Sequence, residues 1–162
     1  MKKKLLVILL SIMMLGLVGC AFDDNTRYED MLKISFSHLK MAEEYDSHGG
    51  FNGDGISFYK YLANEEVLNE IKANDNWKAF PMNETVKSIL YGGEYSDALI
   101  VDEKAKPLMP EVKNGYYILI DRHEEANEGD DEKTIFNRYS LNYTVAIYDV
   151  DNQYLYITEQ DT

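Results

Sequence analysis

Tyr139-Ser140-Leu141-Asn142-Tyr143-Thr144-Val145-Ala146-Ile147-Tyr148 and Tyr154-Leu155-Tyr156-Ile157-Thr158, joined by Asp149-Val150-Asp151-Asn152-Gln153, decide the fold class. Both runs are rich in β-branched and aromatic residues, and the connection is rich in turn formers, so they read as two strands of one hairpin. Upstream, Gly115 to Asp121 contains Tyr116-Tyr117-Ile118-Leu119-Ile120, a strand buried on at least one face. Further back, Ile56 to Leu62 alternates Ile56, Phe58 and Lys60 against Ser57, Tyr59 and Tyr61, and reads as another strand.

Helices separate these strands. Thr26 and Glu29 have the spacing of a capping box, and Tyr28, Met31, Leu32, Phe36 and Leu39 recur at intervals of three and four, which predicts a helix over 27–40. Asn64 is placed to cap a helix over 65–73, and Asn83 begins another that ends at Gly92-Gly93. Trp77 and Phe80 are expected to pin the connection between them. Met41 to Ser47 is either a frayed helix end or, after Ala42, a first strand leading into a glycine-rich loop. The sum is one α+β domain over 27–162: a mostly antiparallel sheet of four to five strands, with two to three helices packed on one face.

The loop His48-Gly49-Gly50-Phe51-Asn52-Gly53-Asp54-Gly55 has four glycines in eight residues, which demands a tight turn or a close backbone approach. His48, Asn52 and Asp54 make it the candidate binding loop, against the plainer reading of a hairpin turn whose Asn and Asp satisfy their own amides. As a calcium loop it fails, because Gly50 and Tyr61 would stand where strong carboxylate ligands belong. His38, His48 and His123 are the three histidines and show no zinc spacing. Glu124, Glu125, Glu128, Asp130, Asp131 and Glu132 form an acidic run, expected to be a mobile solvated loop, with weak Ca2+ capture as the sharper alternative. No other cofactor is expected. The Ser-x-x-Lys spacings at Ser37 and Ser57 are rejected as chance.

Charge bounds the partners. The chain has 16 Lys and Arg against 29 Asp and Glu, a formal net charge of −13 at pH 7. So acidic a body is repelled by phosphate backbones, and no nucleic-acid partner is expected. The 13 Tyr and 6 Phe, with Trp77, argue for a packed domain and against disorder. Cys20 is the single cysteine, so no internal disulfide forms.

The first 20 residues carry an address. Lys2, Lys3 and Lys4 precede Leu5 to Val18, an apolar run interrupted by Ser11 and Gly16 and shorter than the roughly 20 residues that span a bilayer. Leu17-Val18-Gly19-Cys20 follows and resembles the lipobox of bacterial lipoproteins. That resemblance implies a signal peptide over 1–19, lipid attachment at Cys20, a short acylated tether over 20–26, and a location on the extracytoplasmic face of the cell membrane. Two acyl chains meet the requirement for stable anchoring. The glycine loop and the terminal hairpin are similar to segments of uncharacterised small bacterial lipoproteins, which carry no activity with them.

These readings converge on a membrane-anchored lipoprotein, non-enzymatic, binding an envelope protein or wall component through its glycine loop or its tyrosine-rich sheet. The alternative is a small hydrolase or metal-dependent enzyme centred on the loop 48–55. Convergence of His48, Asp54 and a third ionisable group in one concavity would favour the enzyme.

Overall fold

Alternating apolar positions in the terminal hairpin build the middle of the sheet in the computed structural model, which describes residues 24–49, 53–127 and 130–162. The elements, in order, are α1 (Asp24–Leu32), β1 (Lys40–Asp46), β2 (Gly55–Leu62), α2 (Glu65–Lys72), β3 (Lys78–Ala79), α3 (Glu84–Tyr91), β4 (Gly115–Asp121), a 3-10 turn (Glu132–Asn137), β5 (Tyr143–Asp149) and β6 (Tyr154–Asp161). The six strands form one antiparallel sheet in the order β1-β2-β6-β5-β4-β3. The α+β class therefore holds, with six strands among the described residues where four to five were expected.

Strand parity sorts the core into two layers. Tyr59, Tyr61, Ile118, Ala146, Tyr148, Leu155 and Ile157 face α1 and α2, which contribute Tyr28, Leu32, Val67 and Ile71. Phe58, Tyr117, Val145, Ile147 and Tyr156 face the other way, toward Val86, Ile89 and Leu90 of α3 and toward Ile100, Met109, Val112 and Ile135. Helices thus cover both faces of the sheet, where the sequence suggested one. The central strands are buried on both sides for that reason, and every residue of β5 is buried. Each fully buried aliphatic side chain contributes roughly 1.5–3 kcal/mol.

Local signals explain most boundaries. Asn64 accepts the amides of Glu66 and Val67 at 3.1 and 3.2 Å, and Asn83 accepts that of Val86 at 2.9 Å, which satisfies helix donors that lack an intrahelical partner. The helix expected over 27–40 stops at Leu32 instead. Lys33 takes a left-handed conformation (φ 55°), the Glu29 carboxylate accepts the Phe36 amide at 2.6 Å, and Glu70 accepts the Ser35 amide at 2.6 Å. The segment 33–39 is a turn that drops Ile34 and Phe36 into the core, and its apolar spacing mimicked a helix. Trp77 pins the connection as expected, its Nε1 donating to the Leu32 carbonyl at 3.1 Å. β5 begins at Tyr143 rather than Tyr139, and β6 runs on to Asp161. Tyr143, Tyr148 and Tyr156 are core, not exposed interface, while Tyr139 is exposed. Among the described residues no helix is long and apolar enough to cross a membrane.

Candidate functional site

Cys20 and Asn52 lie outside the described residues, as do Gly50, Phe51, Glu128 and Gly129. β1 and β2 do form the expected hairpin around the glycine loop, with Asp46 paired to Ser57 at its end. Asp54 is exposed in that loop. His48 turns away from it and onto the sheet. A Cβ at Gly55 would sit 2.6 Å from the His48 Cα and 2.7 Å from its ring, so glycine is required there by close approach.

His48 meets three side chains. Its amide and its Nδ1 both reach Asp46 Oδ1, at 2.8 and 2.7 Å, and Ser57 Oγ is 3.2 Å from the same Nδ1. Nε2 stands 3.3 Å from Asp161 Oδ2, without the alignment of a hydrogen bond. Burial pushes the Asp46 carboxyl up, but the hydrogen bonds from the His48 amide and ring outweigh it and hold the carboxyl below its ordinary value.

Asp161 connects this imidazole to a buried ionic cluster. Arg122, just past β4, forms an ion pair with Asp161, its Nη1 2.9 Å from Oδ1, donates from Nε to Thr144 Oγ1 at 3.0 Å, and has its Nε 3.7 Å from Glu159 Oε1. Glu159 is 2% exposed. It accepts from Arg27 Nη1 and Nη2 at 3.0 and 2.5 Å, from the Tyr28 hydroxyl at 2.9 Å and from Thr144 Oγ1 at 2.7 Å. A buried carboxylate is tolerated only when it is paired in this way. Burial first, and then the Glu159 charge and hydrogen bond, push the Tyr28 phenol well above its usual range. Asp46, His48, Asp161, Arg122, Glu159 and Arg27 therefore form one continuous chain of charge along an end of the sheet. The sequence reading missed Glu159 and Arg27, because it ended the strand at Thr158; the signal that could have found them is that Glu159 continues the inward register of Leu155 and Ile157, where a carboxylate needs a cation.

This chain meets solvent most at Asp46 and Arg27, whose side chains are 49% and 41% exposed, and less at Asp161, His48 and Arg122, at 33%, 23% and 21%. An imidazole between two carboxylates carries protons, and a guanidinium beside it meets anionic oxygen.

The acidic run is held more tightly than a solvated loop. Asp131 caps the 3-10 turn through the Lys133 amide at 3.1 Å, and Asp130 accepts from the Asn127 amide and from Arg138 Nη2, each at 3.1 Å. Those bonds hold both carboxyls below their ordinary values, the Lys133 side chain leading for Asp131 and the Asn127 amide for Asp130. Asp121, Asp130, Asp131 and Glu132 line a cleft of about 280 Å³ with Leu119 and Ile135.

No family model matches the chain, and no solved structure matches it. A protein named Ribonuclease 3, from Borreliella afzelii (strain PKo), is 28% identical over 133 residues, which cover 80% of this chain and 49% of that protein. The chain thus spans about half the length of the curated relative it matches. This similarity overturns two expectations, that of a non-enzymatic envelope-binding module and that of partners excluding nucleic acid. Net charge averages the whole surface, whereas phosphate contacts depend on a few local donors, so an acidic total does not by itself exclude nucleic acid.

Proposed function

We propose that this domain acts on RNA and cleaves it. The observation that carries the reading is the similarity to a named ribonuclease along four-fifths of the chain. The sheet corner supports it, because RNA cleavage needs a proton acceptor for the attacking oxygen, a proton donor for the leaving oxygen and a cation for the phosphate. His48 is the proton carrier in this reading. Asp46 orients it through Nδ1, and Arg122 supplies the charge that faces phosphate. Glu159 touches no substrate and serves by holding Arg122 and Arg27 in place.

The test is incubation of the full chain with single- and double-stranded RNA, and with DNA of the same sequence, at low salt, with magnesium or with a chelator. RNA fragments that fall about 100-fold in rate for His48→Ala support the reading. Absence of both RNA binding and fragments in every arm sinks it, and so does cleavage unchanged by His48→Ala together with Arg122→Ala.

Location is a separate proposal, resting on residues 1–20 alone: export followed by acylation of Cys20. Intact-mass measurement on the natural product tests it, and an unmodified Cys20 thiol overturns it.

A further inference from the structure

Past the end of β4 the chain closes a tight turn over 123–126, built around an imidazole. His123 is 4% exposed. Its amide donates to Asp121 Oδ1 at 3.0 Å, its carbonyl accepts from the Ala126 amide at 3.0 Å, and its Nδ1 accepts from the Glu125 amide at 3.1 Å. An Nδ1 that accepts carries no proton, so the ring in this turn is neutral and its hydrogen sits on Nε2. Nε2 is buried and has no hydrogen-bond partner among the described residues.

Tyr139, itself exposed, is fastened to the same turn at two points. Its ring stands edge-to-face against the imidazole, with centroids 4.7 Å apart, and its hydroxyl donates to Glu124 Oε1 at 2.6 Å. The turn also walls the acidic cleft. Ala126 and Asn127 line it beside Asp121, Asp130 and Asp131, and the Asn127 amide is one of the donors that hold Asp130.

We propose that His123 is a pH-operated latch: neutral, it holds the turn 123–126 and Tyr139 against the domain, and on taking a second proton it releases both and opens this wall of the cleft. Protonation puts a hydrogen on Nδ1 where the Glu125 amide hydrogen already points, so two donors face each other and the bond is lost. The cation would also keep a buried N–H without an acceptor, a cost that water removes once the turn opens.

The charged groups around the ring favour the open form. In the closed turn Asp121 is engaged by the His123 amide and by Arg138, whose Nη2 is 3.6 Å from Oδ2, while Glu124 is engaged by the Tyr139 hydroxyl. Arg122, the preceding residue, is turned to Asp161 and Thr144. Opened, an imidazolium meets Glu124, Glu125 and Asp121 in water. The open form binds the extra proton, so closure is complete at high pH and is lost as pH falls. The latch is separate from the corner of His48 and does not depend on the RNA reading.

The test is NMR on the full chain between about pH 8 and 5, where imidazoles titrate. Protection of the Glu125 amide, corrected for the intrinsic pH dependence of exchange, is expected to fall by about tenfold or more as the His123 ring titrates, while Val145 and Ile147 in β5 keep theirs. The Tyr139 ring resonances should move with it toward those of a free tyrosine. His123→Phe keeps an aromatic ring beside Tyr139 and titrates nothing, and is expected to hold those resonances constant. Unchanged protection at Glu125 overturns the proposal, as does a loss in β5 in step with Glu125, which is global acid unfolding. A Tyr139 response that persists in His123→Phe also overturns it and passes the titration to a carboxylate. Should that variant not fold, the wild-type midpoints decide: a Glu125 midpoint that departs from that of the His123 ring overturns the latch.

Discussion

Arg27 and Glu159 lie 132 positions apart and meet through two hydrogen bonds, at 3.0 and 2.5 Å, where α1 crosses the end of β6. The arginine side chain is 41% exposed and the carboxylate 3%, so the pair is a cation closing over a buried anion. Removing the two members therefore has unequal consequences. Glu159→Ala takes the acceptor from the buried Tyr28 and Thr144 hydroxyls as well as from Arg27 and is expected to cost about 3 kcal/mol, whereas Arg27→Ala leaves Glu159 its bonds from Tyr28 and Thr144 and is expected to cost about 2 kcal/mol. Urea unfolding of both variants checks the order. Equal losses would show that Tyr28, Thr144 and Arg122 do not satisfy Glu159 once Arg27 is gone.

Gly115 tests the register of β4. A Cβ there would lie 2.0 Å from the Tyr148 carbonyl oxygen, inside backbone that cannot give way. Gly115→Ala is expected to destabilise the domain by about 3 kcal/mol or to slip the β4–β5 pairing, and chemical shifts of the paired residues Tyr116 and Tyr148 would report the slip.

Gly55→Ala separates folding from the RNA reading. The new methyl group collides with His48 and must push it off Asp46 and Asp161, while the ladder of β2 with β6 continues. The expected outcome is a folded protein with RNA cleavage lowered about as far as in His48→Ala, measured beside its melting temperature. Full cleavage with a displaced imidazole would remove His48 from the mechanism.

Alkaline pH should unfold the domain through its tyrosines. Burial pushes Tyr91 and Tyr156 up to about 12, and pushes Tyr28 and Tyr143 up as well. A phenol whose folded value is raised contributes stability that is complete below its unfolded value near 10. Above pH 10 the unfolded chain loses protons first, so stability falls as pH rises toward and beyond 12. Tyr28→Phe is expected to shallow that fall, as read from unfolding free energy between pH 9 and about 12. A stability flat across this window would contradict the buried, protonated state of the four rings.

Most of the sheet was legible because β2 alternates and β4, β5 and β6 are runs of β-branched and aromatic residues, and the two capped helices carry Asn64 and Asn83 at their starts. Segment 33–39 was not, since Phe36 and Leu39 continue a helical spacing while Glu29, seven positions earlier, captures the Phe36 amide and ends the helix. β3 was too short to show any period. Of the site, His48 could be picked out but not its partners. Asp161 and Arg122 come from strand ends far along the chain, and pairing across that separation leaves no local mark. The two-sided covering of the sheet was hidden for the same reason: α3 packs by its apolar stripe, which does not say which face it will find.

The strand order carries a consequence for how the molecule comes into being. β6 stands between β2 and β5, and the Thr158 hydroxyl reaches the Ser57 carbonyl across 101 positions. The hairpin of β1 and β2 is thus an orphan until nearly a hundred later residues have been polymerised. A nascent chain emerging from the ribosome would hold that hairpin without a template, so assembly waits on synthesis, and a high contact order predicts slow, all-at-once closure once residues 154–161 arrive.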